Sequence, residues 1–245
     1  MANLAIEKEG PVAVMVWRHE TQNRFTLDFN QEIFAALDEL AADREVRGVV
    51  ITSGVEKFFS NGLHLEWMMQ TAMADKGKVL EFLKSLNTFM LKVTAFPKPM
   101  IAAINGHATG MGAIITLCMD YRFMQGDRGF LRLPEIEINI PFLPGMVAIF
   151  HEVTPPPAFR DMTYNPQKYT ADMAKACGFV DRVCSAEELR PAAVETAKKL
   201  GSYKLSTFAA IKQGARAKAF EIMKNDDPAA IEKMWGEMNK SFGGA

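Results

Sequence analysis

The chain has 245 residues, 49% of them hydrophobic, and its acidic and basic side chains nearly cancel to a net charge of −1. That composition suits a globular protein with one sizeable core, while the near-zero charge and the lack of any Lys/Arg run interleaved with aromatics argue against nucleic acid as a partner. No apolar run approaches the ~18 residues of a membrane span, and Cys118, Cys177 and Cys184 show neither metal-ligand spacing nor the even count of a disulfide framework, so no membrane or metal is expected and the cytoplasm is the simplest location.

Leu4 to Ile6 and Val12 to Trp17 read as strands separated by the turn residues Glu9-Gly10-Pro11. Asp28 is a candidate N-cap for a helix whose Ile33, Phe34, Leu37 and Leu40 fall at helical spacing, and the β-branched run Val49 to Thr52 follows as a strand. The loop Ser53 to Gly62 leads into a helix over Leu63 to Met69, and a second amphipathic helix covers roughly Val79 to Val93. Pro97 and Pro99 stop it before a strand at Met100 to Ile104, so parallel strands with crossover helices are implied. Tyr121 to Met124 and Phe130 to Leu131 read as short strands. Beyond Thr170 the helices Ala171 to Ala176, Glu187 to Leu200, Thr207 to Phe220 and Pro228 to Lys240 dominate. Pro155 to Pro157 and the polar stretch Asn165 to Tyr169 divide an α/β core, residues 1–165, from a helical C-terminal region, residues 166–245.

Between the strand ending at Ile104 and the apolar stretch Ala113 to Met119 lies the small-residue turn Asn105-Gly106-His107-Ala108-Thr109-Gly110-Met111-Gly112. Such a turn lets a ligand reach bare backbone N–H groups at a helix start, where donors are unpaired and the dipole favours negative charge. Gly106, Gly110 and Gly112 do not have the spacing of a dinucleotide fingerprint.

Four segments stand out in order along the chain: Phe59-Ser60-Asn61-Gly62-Leu63, Lys98 to Ala108, Leu133-Pro134-Glu135-Ile136, and Ala174 to Val183. Together they resemble the crotonase superfamily, the enoyl-CoA hydratase and isomerase group. Lys57 to Gly62, Asp120 to Met124 and Asp127-Arg128-Gly129 are similar in detail to monofunctional enoyl-CoA delta isomerases. The resemblance implies an α/β spiral of ββα units with a helical C-terminal trimerisation region, assembled as a homotrimer or hexamer. It also implies an acyl-CoA substrate, with coenzyme A part of that substrate and no separate cofactor. The thioester oxygen would sit between the backbone N–H groups of Leu63 and Met111, in turns that include Asn61, Gly62 and Gly110. Two preorganised donors in a dry pocket stabilise an enolate oxygen more than the neutral ground state. The family often has Gly where Met111 stands, but the N–H survives.

Hydratases of this family use two glutamates, which map here onto Ile114 and Glu135. Hydration needs a water held and deprotonated between two carboxylates, whereas a double-bond shift needs one base to remove a proton at C2 and return it at C4. Glu135 is therefore the candidate proton shuttle. Its apolar flanks Leu133, Pro134, Ile136 and Ile138 would raise its pKa if it is buried, whereas on a strand Glu135 and Glu137 would alternate outward as solvated charges. Arg24 and Lys57 are candidate cations for the coenzyme A phosphates. His64, where the family commonly has Asp, could orient the Leu63 loop, and His107 reads as a turn histidine. Met146-Val147 replaces a usual double glycine and puts the acyl pocket's size in question. Met68, Met69, Met73, Met90, Met111, Met119 and Met146 are candidates for a pliable acyl channel or for core. Other crotonase-type reactions (hydration, acyl-CoA hydrolysis or decarboxylation) and a non-catalytic acyl-CoA-binding scaffold remain alternatives. The faces of Thr207 to Phe220 and Ile231 to Phe242 suit subunit contacts or intramolecular packing equally.

Overall fold

The structure, a computed structural model, describes residues 3–241, with the side chains of residues 240 and 241 left out; Phe242 and the ends of the 1–165 and 166–245 regions lie outside the described residues. The chain opens with β1 (Leu4–Glu9) and β2 (Val12–Trp17), an antiparallel pair in the register Leu4 opposite Trp17. Helix α1 (Leu27–Ala42) follows. Its N-cap is Thr26, whose Oγ1 accepts from the Phe29 N–H at 3.3 Å; the expected cap Asp28 instead sits in the first turn, where a carboxylate complements the helix dipole.

Strand β3 (Gly48–Ser53) is followed by β4 (Phe58–Ser60), then by α2 (Leu65–Ala74) and α3 (Lys76–Thr94). The helix expected from Leu63 begins two residues later, because His64 Nδ1 accepts from the Trp67 N–H at 3.2 Å and caps it. Next come β5 (Met100–Ile104), β6 (His107–Thr109), α4 (Met111–Leu117), β7 (Tyr121–Gln125) and β8 (Leu131–Arg132). Helices α5 (Pro144–Val153), α6 (Pro156–Thr163) and α7 (Ala171–Ala176) precede β9 (Arg182–Cys184), and α8 (Ala186–Gly201), α9 (Leu205–Ala215), α10 (Ala217–Asn225) and α11 (Asp227–Ser241) complete the described chain. Sequence reasoning misses α5 and α6, since prolines that read as breakers stand at their first positions, where the fixed φ is preorganised and the missing N–H costs nothing. The single helix expected over Thr207 to Phe220 is two, broken at Arg216, which donates to the Leu117 and Met119 carbonyls at 2.9 and 3.1 Å.

Two sheets result. The six-stranded sheet has the order β1-β2-β3-β5-β7-β9 and is parallel after its first pair; the three-stranded sheet, β4-β6-β8, is wholly parallel. Both faces of the large sheet are covered, which is why β2, β3 and β5 are continuous runs of buried residues. On one face α8 packs Leu189, Ala193 and Ala197 against Val14, Val50 and Ile101. The other face belongs to the main core, centred on the edge-to-face and tilted contacts of Trp17 with Phe25, Phe29, Phe59 and Phe89. Residues beyond 165 thus return to the sheet through β9 and α8, while α10 and α11 pack on α3 and α5.

Candidate active site

Parallel strands discharge the chain at one edge, and the small sheet uses that edge three times. From β4 the chain enters Asn61-Gly62-Leu63, from β6 it enters Gly110-Met111, and from β8 it enters Leu133-Pro134-Glu135. This is the edge at which ligands bind in open parallel sheets.

The first two turns touch through their backbones. Gly62 has φ +74°, and a Cβ on it would stand 2.6 Å from the Thr109 carbonyl oxygen and 3.2 Å from the Met111 nitrogen, so only glycine permits the approach. Gly110, with φ +53°, caps α4 and accepts from the Ala113 and Ile114 N–H groups at 2.9 and 3.0 Å. Phe25 N–H donates to Gly62 O at 2.7 Å and His64 N–H to Phe25 O at 3.1 Å, which fixes the peptides on either side of Leu63. Among the described residues, neither the Leu63 N–H nor the Met111 N–H donates to an acceptor.

The third turn delivers Glu135. It is 7% exposed, in a turn over residues 135–139 rather than on a strand, so the outward alternation of Glu135 and Glu137 does not occur. Burial pushes its carboxyl up to about 7, against the lesser influence of its own backbone N–H. Oε2 is buried without a hydrogen-bond partner among the described residues, and Oε1 lies 3.1 Å from where a Cβ on Gly110 would stand. Glu137 points away and pairs with Arg132 at 2.6 Å.

Leu63, Gly110, Met111 and Glu135 share a cavity of about 290 Å³. Its walls are apolar, with Met68 from α2, Leu83 and Leu86 from α3, Ile114 from α4, Leu143 and Met146 beside and within α5, and Met234 and Met238 from α11. Ile114, at the position of the missing carboxylate, is 1% exposed. Arg24, Asn61, Glu66 and Thr109 add polar groups to the wall. Arg24 is held by Glu20 through Nε and Nη2 at 2.9 and 3.1 Å. Burial works against the Glu20 charge, but the Arg24 hydrogen bonds outweigh it and hold that carboxyl down to about 2. Asn61 Nδ2 donates to Gln22 Oε1 at 2.7 Å, which ties the Leu63 turn to the Arg24 loop.

Lys57 precedes β4, at the edge of the small sheet opposite the site, and does not line the cavity; its ammonium lies 5.5 Å from the Phe58 ring centre. The strand intervening between it and the site spans about 10 Å. His107 stands at that same far edge, stacked on Phe130 at 4.0 Å. Of the candidate methionines, Met68, Met111 and Met146 line the cavity, Met90 and Met119 are core, and Met69 and Met73 are exposed. Leu83, Leu86, Met234 and Met238 were not recognised as wall residues, because helical periodicity marks an apolar face without saying whether it meets a void.

Fold and site together define a class: α/β proteins in which strand ends bring two main-chain donors and one buried carboxylate to an apolar cavity. The family model described as enoyl-CoA hydratase/isomerase matches residues 7–239, and the chain belongs to that family. It is 30% identical over 202 residues to enoyl-CoA delta isomerase 3 of Arabidopsis thaliana, covering 81% of this chain and 85% of the relative. A carnitinyl-CoA dehydratase of Salmonella paratyphi A is 28% identical over 215 residues, covering 88% and 80% of the two chains. The crystal structure of a probable enoyl-CoA hydratase from Mycobacterium tuberculosis superposes with a TM-score of 0.88 at 22% identity, over 98% of this chain and 100% of the other, and so shares the fold.

Proposed function

We propose that the protein is an enoyl-CoA delta isomerase that moves the double bond of a 3-enoyl-CoA to the 2-position. The thioester oxygen accepts from the Leu63 and Met111 N–H groups, and Glu135, as carboxylate, takes a proton from C2. The C2–H electron pair forms the dienolate, whose charge rests on the oxygen between the two donors. Glu135, now the neutral acid, returns its proton at C4, and the electrons settle as the C2–C3 double bond. No water or electron is consumed, and coenzyme A enters only as part of the substrate, so the proposal includes no separate cofactor.

The observation that carries this reading is the pairing of one buried carboxylate, poised to about 7, with Ile114 where hydration chemistry would place a second. In deuterated water, C2 and C4 of the recovered thioester should exchange without mass gain from water addition. Glu135→Gln should lower turnover by roughly 10²–10⁴; full isomerisation by that variant would refute the assignment.

A second reading, hydration of a 2-enoyl-CoA, is favoured by Glu66, a carboxylate on the cavity wall in the first turn of α2. It is exposed, and water addition to 2-enoyl-CoA at rates rivalling isomerisation would promote it. Assembly as a homotrimer or a pair of trimers belongs to the same proposal and is tested by light scattering. A cytoplasmic setting belongs to the same proposal and is tested by locating the tagged protein in cells.

A further inference from the structure

The acyl group, on the thioester reading above, enters a cavity of about 290 Å³, at the lower end of the ~300–1,000 Å³ typical of small-molecule sites. Met234 and Met238, one helical turn apart on α11, stand in its wall together with Met146 of α5 and Leu86 of α3. Met234 and Met238 lie 99 and 103 residues beyond Glu135 in the chain, so this wall of the cavity is in place only while α11 is docked.

The docking is built. Asp227, the first residue of α11, is fully buried, and its Oδ1 accepts from the Gly145 N–H in the first turn of α5 at 2.7 Å. Gly145 admits this approach, since a Cβ there would stand 2.5 Å from Asp227 Oδ2. Just before α11, the Met223 carbonyl accepts from Asn87 Nδ2 of α3 at 2.9 Å, and farther along α11 Glu232 pairs with Lys84 of α3 at 2.6 Å. The helix is therefore fastened to α3 and α5, two of the helices that supply the other walls. Methionine is a suitable stop, because an unbranched thioether adapts to the end of a chain without leaving a void.

We infer that α11 is the acyl-chain stop of this enzyme: Met234 and Met238 are specificity-determining residues that restrict it to short acyl groups, and Asp227 is the positioning residue that holds them there. The site is that of the proposed reaction; the new content is the chain-length limit and its source.

The test measures binding of a ladder of saturated acyl-CoA thioesters by calorimetry, beside turnover of the matching 3-enoyl-CoAs, for the wild type and four variants. In the wild type, affinity should rise with chain length and then break. Met234→Ala/Met238→Ala should move the break to longer chains, with the long-to-short affinity ratio rising roughly tenfold for two accommodated methylenes. Met234→Phe should move it to shorter chains, which covers the case in which the double variant does not fold. Asp227→Ala should blur the break although it touches no substrate, and Asp227→Asn, which keeps the Oδ1 acceptor, should restore it. An unchanged profile in both methionine variants overturns the stop while leaving the isomerase reading intact. An unchanged profile in Asp227→Ala overturns the anchor. Binding without isomerisation at any length overturns the isomerase reading but not the stop, and failure of every thioester to bind overturns both.

Discussion

Glu135 stands over Gly110: its carboxylate oxygen Oε1 lies 3.1 Å from the point at which any side chain on Gly110 would begin. Because Met111 follows Gly110 and carries one of the two free donors, this approach sets the proposed base beside the proposed oxyanion site. It also makes the backbone at Gly110 part of the chemistry.

Gly110→Ala should consequently damage activity more than stability. The added methyl meets Glu135 Oε1 and sits at φ +53°, ψ −128°, a conformation nearly reserved for glycine. Strain of about 1–3 kcal/mol is expected in a melt, with kcat reduced at least tenfold as the carboxylate is displaced. A variant with wild-type kcat would show that the carboxylate does not work from this position.

The pH dependence follows from the burial of Glu135. As a base it must be ionised, so kcat/KM should rise with pH through a limb near 7, not near the ordinary 4.5. Stability has the opposite slope: the folded state keeps this proton up to about 7 while the unfolded chain releases it near 4.5, so stability is full below 4.5 and falls as pH rises through that window. The loss is on the order of 3 kcal/mol. Denaturant titrations at pH 5 and pH 8 should show a slope that Glu135→Gln reduces, the remainder coming in part from the buried Asp227, whose carboxyl burial pushes up to about 6.

Arg24 is tested as a binding cation. It lines the cavity but already forks onto Glu20, so it is held in place before any ligand arrives. Arg24→Ala should raise KM for an acyl-CoA by roughly tenfold, the scale of one charge-assisted hydrogen bond, while leaving kcat nearly unchanged. The same variant tested on a truncated pantetheine thioester should show little effect if Arg24 reads the phosphates.

Ile114→Glu restores the second carboxylate at a position that is 1% exposed. Burying it should lower the melting temperature, and the new group should titrate above the usual carboxylate range. Where the protein folds, the ratio of water addition to isomerisation should rise. If the ratio stays at the wild-type value, the identity of residue 114 does not decide between the two reactions.

Much of this architecture was legible in the chain. Strands β2 and β5 match their expected limits, because buried parallel strands are written as unbroken apolar runs bounded by turn residues. The turn from Asn105 to Gly112 was legible from its small residues, since a main-chain donor at a tight turn depends on residues within a few positions of it, whereas Leu63, Met111 and Glu135 were named from the resemblance to the family. Strands β4, β6 and β8 were not seen as a sheet: two or three residues carry no periodicity, and their pairing comes entirely from contacts distant in sequence.

Tertiary structure decided what local patterns could not. It brought Gly62 against Thr109 and Met111, it buried Glu135 where alternation on a strand would have exposed it, and it sent Lys57 to the opposite edge of the small sheet although only a few residues separate it from Leu63. It also carried Met234 and Met238 from the last helix to the cavity wall. The residue types and the local turns follow from sequence because short-range sterics and hydrogen bonding act over a few residues. Burial, pKa and pocket shape follow from which distant elements pack together, and that is a property of the whole fold.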